Sequence, residues 1–195
     1  MHIITLTKNS QKTIGKTLLS IEKQSFKKVK WIVLDEHSTD STLDIVKKSK
    51  IKKEIIKIRS KNLFDAYNKS LKMLKKRKIN DIIFFLHSDD IIYDKNVLKD
   101  VNEIFQKNPC DCLYGNIVYF KKNSNVYSRY WHSGYKKKEI NIKKNLYKMK
   151  IFYPTDFLFG WSFPHTALFF HSNALNKMSK YNSKLKTSSD FEWTI

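Results

Sequence analysis

Asp81-Ile82-Ile83-Phe84-Phe85-Leu86-His87-Ser88-Asp89-Asp90-Ile91-Ile92-Tyr93-Asp94 is the stretch on which the reading of this chain turns. Ile82 to Leu86 is an unbroken apolar run, short enough for a buried strand and bounded by polar residues. It stops at two adjacent carboxylates, Asp89 and Asp90. In an open α/β sheet, ligands bind just beyond the carboxyl ends of the strands. Acidic side chains placed there offer hard oxygen ligands to a divalent cation. A polar turn capping the next helix is the other reading of an isolated Ser-Asp-Asp, so the rest of the chain has to decide.

Toward the N-terminus, Ile3 to Leu6 and Val29 to Leu34 read as two more strands, with Ile14, Leu18 and Ile21 recurring between them at helical spacing. Asn9 or Ser10 is placed to cap that helix, and Thr39 or Asp40 to cap a second one carrying Leu43, Ile45 and Val46. Glu54 to Ile58 is a third strand, and a helix from about Leu63 to Lys76 leads into the run at Ile82. On the other side, Val97, Leu98, Val101, Ile104 and Phe105 mark a helix that Asn108-Pro109 closes. Such alternation calls for an α/β fold, a mostly parallel central sheet with helices on both faces. Past residue 110 the pattern loosens. Leu113 to Phe120 and Val126 to Trp131 read as strands, 136 to 150 is lysine-rich, and Thr166 to Phe170 is one more strand before a short helix from Asn173. No repeat or low-complexity linker divides the chain, so a single domain over 1–195 is expected.

The 195 residues are enough for one domain with a real core, and 41% hydrophobic with 14% aromatic content is that of a globular chain. No apolar stretch approaches the roughly 20 residues that span a bilayer, and Met1 to Thr7 lacks the features of a signal peptide. A cytoplasmic protein is the expectation. The formal charge is +20, from 38 Lys and Arg against 18 Asp and Glu. Lysines spread over nearly every expected helix, which reads first as diffuse composition and second as peripheral contact with an anionic membrane at its inner face. Nucleic acid is set aside as a partner, because no recognition helix or RNP-type aromatic motif is present. Cys110-Asp111-Cys112 lacks the second ligand pair of a zinc site, and two small buried residues on one strand face are expected instead. None of the four glycines forms GxGxxG or GxxxxGK, which removes the dinucleotide-binding and P-loop readings. Three acidic clusters remain: Asp35-Glu36, Asp89-Asp90, and Asp190 with Glu192. The first two fall on the same edge of a parallel sheet, where one carboxylate can meet a base or ribose and another a metal that neutralises a diphosphate.

Eight segments, in order, carry a family resemblance. They are Ile3-Ile4-Thr5-Leu6-Thr7-Lys8-Asn9, Val33 to Thr42, Phe64-Asp65-Ala66-Tyr67-Asn68-Lys69-Ser70, Phe85-Leu86-His87-Ser88-Asp89-Asp90, Tyr114-Gly115-Asn116-Ile117, Trp131-His132-Ser133-Gly134, Pro164-His165-Thr166 and Ser189-Asp190-Phe191-Glu192. Together they resemble the family 2 glycosyltransferases, of GT-A fold, and within them a subgroup that builds bacterial surface polysaccharides such as colanic acid. His37 stands at a usual glycine of the second motif, and His87 at the first position of the DxD motif. The resemblance implies a nucleotide-sugar-binding half over about 1–110 and an acceptor-side half over about 111–195. Relatives continue past Glu192 through another helix and a tail, so a truncated or minimal acceptor side is implied.

The same resemblance implies transfer of a sugar from a nucleotide-sugar donor to a hydroxyl of a saccharide or lipid-linked acceptor, with inversion and with Mg²⁺ or Mn²⁺ as cofactor. Asp35 would contact the base, with Thr7 and Asn9 lining the same pocket. Asp89 would hold the metal, with Asp90 as a second ligand or a ribose contact. Asp190 would be the general base, with His165 and Glu192 in the acceptor region. Structural roles compete with each. Asp35 and Asp190 could cap helices, Glu192 could be the base instead, His165 could be a structural histidine, and His87 could serve the turn rather than a metal. Trp131, Tyr135 and Trp161 read as core before they read as sugar platforms, and His132 and His171 as structural. Arg59-Ser60-Lys61-Asn62 replaces an acidic, glycine-containing segment, which implies a different donor preference. A catalytically inactive nucleotide-sugar-binding protein of the same fold is the alternative function.

Overall fold

The computed structural model describes residues 1–77, 79–108, 110–120, 127–131, 150–151 and 165–185. In chain order the strands are β1 (His2–Thr7), β2 (Lys30–Asp35), β3 (Lys53–Lys57), β4 (Ile82–Phe85), β5 (Cys112–Tyr114), β6 (Ile117–Phe120), β7 (Tyr127–Trp131), β8 (Lys150–Ile151) and β9 (Leu168–His171). The helices are α1 (Ile14–Glu22), α2 (Thr42–Lys47), α3 (Leu63–Lys76) and α4 (Val97–Lys107). Seven strands form one sheet in the order β3-β2-β1-β4-β9-β5-β8. The pairs β3–β2, β2–β1 and β1–β4 are parallel. β9 then reverses direction against both β4 and β5, and β8 against β5, so five of the seven strands point the same way. β6 and β7 form a separate antiparallel hairpin.

Side chains alternating along each strand divide the core between the two faces of the sheet. Ile3, Trp31, Val33 and Phe84 pack with Ile14 and Leu18 of α1, Val46 of α2, and Leu98 and Val101 of α4. Ile4, Ile32, Leu34, Ile83 and Phe85 pack with Phe64, Tyr67, Leu71 and Leu74 of α3. That α3 set recurs every three or four residues, which places it on one stripe of the helix. Asn62 caps the stripe, its side chain accepting from the Asp65 N–H at 2.9 Å, in the manner of an Asn N-cap. Trp31 is fully buried, and its indole N–H donates to Thr5 Oγ1 at 2.9 Å.

Several expectations shift. The run Leu113 to Phe120 is not one strand: it breaks after Tyr114, where the Gly115 N–H donates to the Ala167 carbonyl at 3.0 Å and the chain leaves the sheet for the hairpin. α1 starts at Ile14 rather than just after Ser10, because the Ser10 carbonyl first accepts from Thr13 and Ile14. α2 starts after Ser41, with Asp40 one residue further out, although its carboxylate still accepts from the Thr42 N–H. The last strand begins at Leu168, and the helix expected from Asn173 is a 3-10 turn over Ser172–Asn176, capped by the His171 ring. Trp131 is half-buried on the hairpin, with the Arg129 guanidinium over its ring. The cysteines are free and partly buried, and burial pushes the Cys112 thiol up to about 12. No helix among the described residues is long and apolar enough to cross a membrane. Residues 136–149, His132, Tyr135 and Trp161 lie outside the described residues.

Candidate active site

β1 is the strand at which the sheet order reverses, with β2 on one side and β4 on the other. Such a switch point opens a crevice at the carboxyl ends of the strands. Here the crevice is bordered by three loops. The β1–α1 loop and the β2–α2 loop are stitched together: the Thr39 N–H donates to Asn9 Oδ1 at 2.8 Å, the Asn9 N–H to Ser38 Oγ at 2.9 Å, the Gln11 N–H to Asp40 Oδ2 at 3.1 Å and the Ser10 N–H to Thr42 Oγ1 at 2.7 Å. The loop after β4 joins through Ser88, whose hydroxyl meets that of Ser10 at 2.9 Å. Asn9 and His37 adopt positive φ, 49° and 52°. Asn and His are among the residues that tolerate the left-handed region best, and His37 stands where the resembled motif carries glycine. A cleft of about 550 Å³ results, lined by Asn9, Ser10, Gln11, Thr39, Asp40 and Asp89 among others. That volume suits a small-molecule site, typically about 300–1,000 Å³.

Asp35, at the end of β2, is fully buried and does not line this cleft. Its two oxygens accept from the Ser38 N–H at 3.3 and 3.1 Å, so it holds the turn through His37. Thr7 pairs with Asp35 across the sheet and is likewise buried, and among the described residues its hydroxyl has no hydrogen-bond partner. Asn9 alone of the three expected base-pocket residues lines the cleft. Neighbouring Glu36 accepts from the Ser60 N–H at 2.9 Å and from the Ser60 hydroxyl. Burial opposes its ionisation, but the Ser60 bonds and the Lys8 charge outweigh that and hold its carboxyl below the usual range.

Asp89 and Asp90 follow β4 at the rim of the cleft, Asp89 exposed and Asp90 half-buried. Burial pushes the Asp90 carboxyl up, His87 pulls the other way, and the Asp89 charge adds to the rise. His87, Asp89 and Asp90 together bring one candidate ligand atom each to within 4.8 Å of one another. Two carboxylates and an imidazole at that spacing fit a divalent cation, whose charge would offset the crowding of the pair. From sequence alone His87 reads chiefly as part of the turn.

Behind this group sits an aromatic cluster of Tyr67, Phe85, His165 and Tyr181, of which Tyr181 lies outside the family motifs. Tyr67 of α3 is 1% exposed. Its ring meets Phe85 edge-on at 4.9 Å and stacks on Tyr181 at 5.0 Å, and its hydroxyl is hydrogen-bonded to His87 Nε2. His165 stands edge-on to Tyr67 at 5.6 Å, and its Nε2 is 2.6 Å from the Tyr181 hydroxyl. Asn68 clamps the Tyr181 backbone at both N–H and carbonyl, at 2.8 and 2.9 Å. His165 is thus brought against the β4 side of the site. The signal for Tyr67 and Asn68 was their place inside the Phe64–Ser70 motif; Tyr181 carried none. Asp190 and Glu192 lie outside the described residues.

A switch-point cleft with a cation-competent acidic group beside it defines an α/β domain of the GT-A kind. The model of the family described as "Glycosyl transferase family 2" matches residues 2–174, and the chain belongs to that family. It is 32% identical over 113 residues to the poly(ribitol-phosphate) beta-N-acetylglucosaminyltransferase TarS of Staphylococcus aureus (strain Mu50 / ATCC 700699), covering 57% of this chain and 20% of that protein. The crystal structure of S. aureus TarS 1-349 matches 99% of this chain and 53% of its own, with a TM-score of 0.68 and 25% identity. The TarS 1-349 complex with UDP-GlcNAc matches 57% of this chain and 32% of its own, with a TM-score of 0.50 and 31% identity. The aligned region thus spans about a fifth of the length of the curated relatives.

Proposed function

We propose that this chain forms the donor-binding and catalytic part of a glycosyltransferase that moves a sugar from a nucleoside-diphosphate donor to an acceptor hydroxyl with inversion, in the synthesis of a surface polysaccharide or glycolipid. One observation carries the reading: the grouping of His87, Asp89 and Asp90 at the rim of the switch-point cleft, inside a chain of this family. Residues 1 to about 110 bind the donor and the remainder receives the acceptor. Asn9 and the stitched loops hold the base and ribose, with Asp35 and Thr7 as the buried floor that fixes their shape. Asp89 and Asp90 hold Mg²⁺ or Mn²⁺. When bound, the cation supplies charge stabilisation for the departing diphosphate, the largest kind of catalytic term.

Asp190 takes the proton of the attacking hydroxyl, with Glu192 and His165 beside the acceptor. General-base assistance of this kind contributes about 10²–10⁴-fold. The net charge of +20 supports peripheral contact with an anionic membrane where the acceptor is lipid-linked. UDP-N-acetylglucosamine is the first donor to try, given the relatives. Release of nucleoside diphosphate from UDP-, GDP- and dTDP-sugars, with Mn²⁺ and a saccharide acceptor, should be detected for the wild type and lost in Asp89→Ala. Turnover indifferent to Asp89, or donor binding without turnover under any condition, contradicts the proposal.

A further inference from the structure

We infer that the His87 imidazole is a nitrogen ligand of the cation held by Asp89 and Asp90, and that Tyr67 is the positioning residue that aims it. The inference rests on the donor-site reading above and deepens it. The two ring nitrogens of His87 have different surroundings. Nε2 points into the protein and is hydrogen-bonded to the Tyr67 hydroxyl. That hydroxyl has little freedom, because Tyr67 is buried on α3 and its ring is fixed by Phe85 and Tyr181. Nδ1 faces the carboxylates and lies 3.9 Å from Asp90 Oδ2.

At 3.9 Å that pair is beyond hydrogen-bond range, so no hydrogen bond ties Nδ1 to Asp90. The distance is instead compatible with two atoms sharing a cation, and the ligand atoms of all three residues fall within 4.8 Å. Asp89 is exposed, and its carboxylate already belongs to this group. When Nε2–H donates to the Tyr67 oxygen, the lone pair is on Nδ1 and is directed at the acidic pair. Fixing a metal-ligating histidine through a hydrogen bond on its other nitrogen is the general way proteins set its tautomer and ring orientation. A histidine that merely shaped the turn would need no buried tyrosine from α3.

A consequence for the metal follows from ligand chemistry. Mg²⁺ takes oxygen ligands and keeps much of its water, whereas an imidazole in the set favours transition-metal divalents. An imidazole ligand therefore raises affinity for Mn²⁺ relative to Mg²⁺, and for the later first-row divalents more still.

The test is pulsed electron paramagnetic resonance on the full chain with Mn²⁺ and UDP, which detects nitrogen bonded directly to manganese. The wild type should show that coupling, and His87→Ala should lose it. Calorimetry should find Mn²⁺ affinity lowered about 10–100-fold in His87→Ala and about tenfold in Tyr67→Phe, on the scale of such ligand-support changes, with Mg²⁺ affinity unmoved in both. Manganese bound through Asp89 but with no nitrogen coupling in the wild type overturns this inference and leaves the donor site standing. No manganese uptake with UDP at all overturns both.

Discussion

Acidification should loosen the hold of α3 on the edge strand β3, and the structure sets the size of the effect. Glu54 of β3 receives the Arg77 guanidinium on both oxygens, at 2.8 and 2.6 Å, and Lys30 Nζ at 3.0 Å. The Arg77 bond, then the Lys30 bond, hold its carboxyl at about 2 rather than 4.5, against the opposing pull of burial. A carboxyl depressed in the folded state stabilises fully above its unfolded pKa and loses that contribution as pH falls through the folded one. The window is therefore pH 4.5 down to about 2. At about 1.36 kcal/mol per pH unit, the gap corresponds to an upper bound of about 3 kcal/mol. Glu54 is 33% exposed, and solvent-exposed pairs measure about 0.2–1 kcal/mol, so about 1 kcal/mol is expected, more than half of it gone by pH 3. Urea unfolding of the wild type and Glu54→Gln at pH 7 and pH 3 reads it. The wild type should be the more stable at pH 7, and the difference should shrink at pH 3. An equal difference at both values would refute the reasoning. The stake is functional, since α3 carries Tyr67 and Asn68 into the site.

Asn9→Ala should lower the melting temperature more than Asn9→Gly, because alanine at φ 49° adds about 1–2 kcal/mol of left-handed strain to the lost Thr39 bond; equal effects would show that the backbone is not constrained there. Asp35→Ala should cost about 1–3 kcal/mol by leaving the Ser38 N–H without its buried acceptor, and should weaken UDP binding along with stability in calorimetry; unchanged binding would remove Asp35 from the floor of the donor pocket. Asp190→Ala should leave UDP affinity intact while transfer falls about 10²–10⁴-fold; a drop in affinity with unchanged kcat would place it elsewhere.

The first half of the chain was readable because β1, β2 and β4 are buried on both faces. Runs such as Ile3–Leu6 and Ile82–Leu86 can only be central strands in a chain that alternates with amphipathic helices, and all four parallel strands appear near where they were expected. The loop residues were legible as motifs but not as contacts. Asp40 reads as a helix cap, yet its second oxygen reaches across to Gln11. His37 looked like a departure from glycine, and the left-handed backbone explains both residues. Tyr181 could not be found, because its role comes from packing on Tyr67 and clamping by Asn68, more than a hundred positions earlier. The break at Gly115 was hidden by the continuous apolar run, since only pairing with Ala167 ends the strand there.

The most direct measurement is titration of UDP, GDP and dTDP into the full chain with and without Mn²⁺, for the wild type and for Asp89→Ala. The account expects at least one nucleotide to bind far more tightly with manganese, and Asp89→Ala to erase that gain while melting like the wild type. Nucleotide binding that ignores both the metal and Asp89 would contradict it.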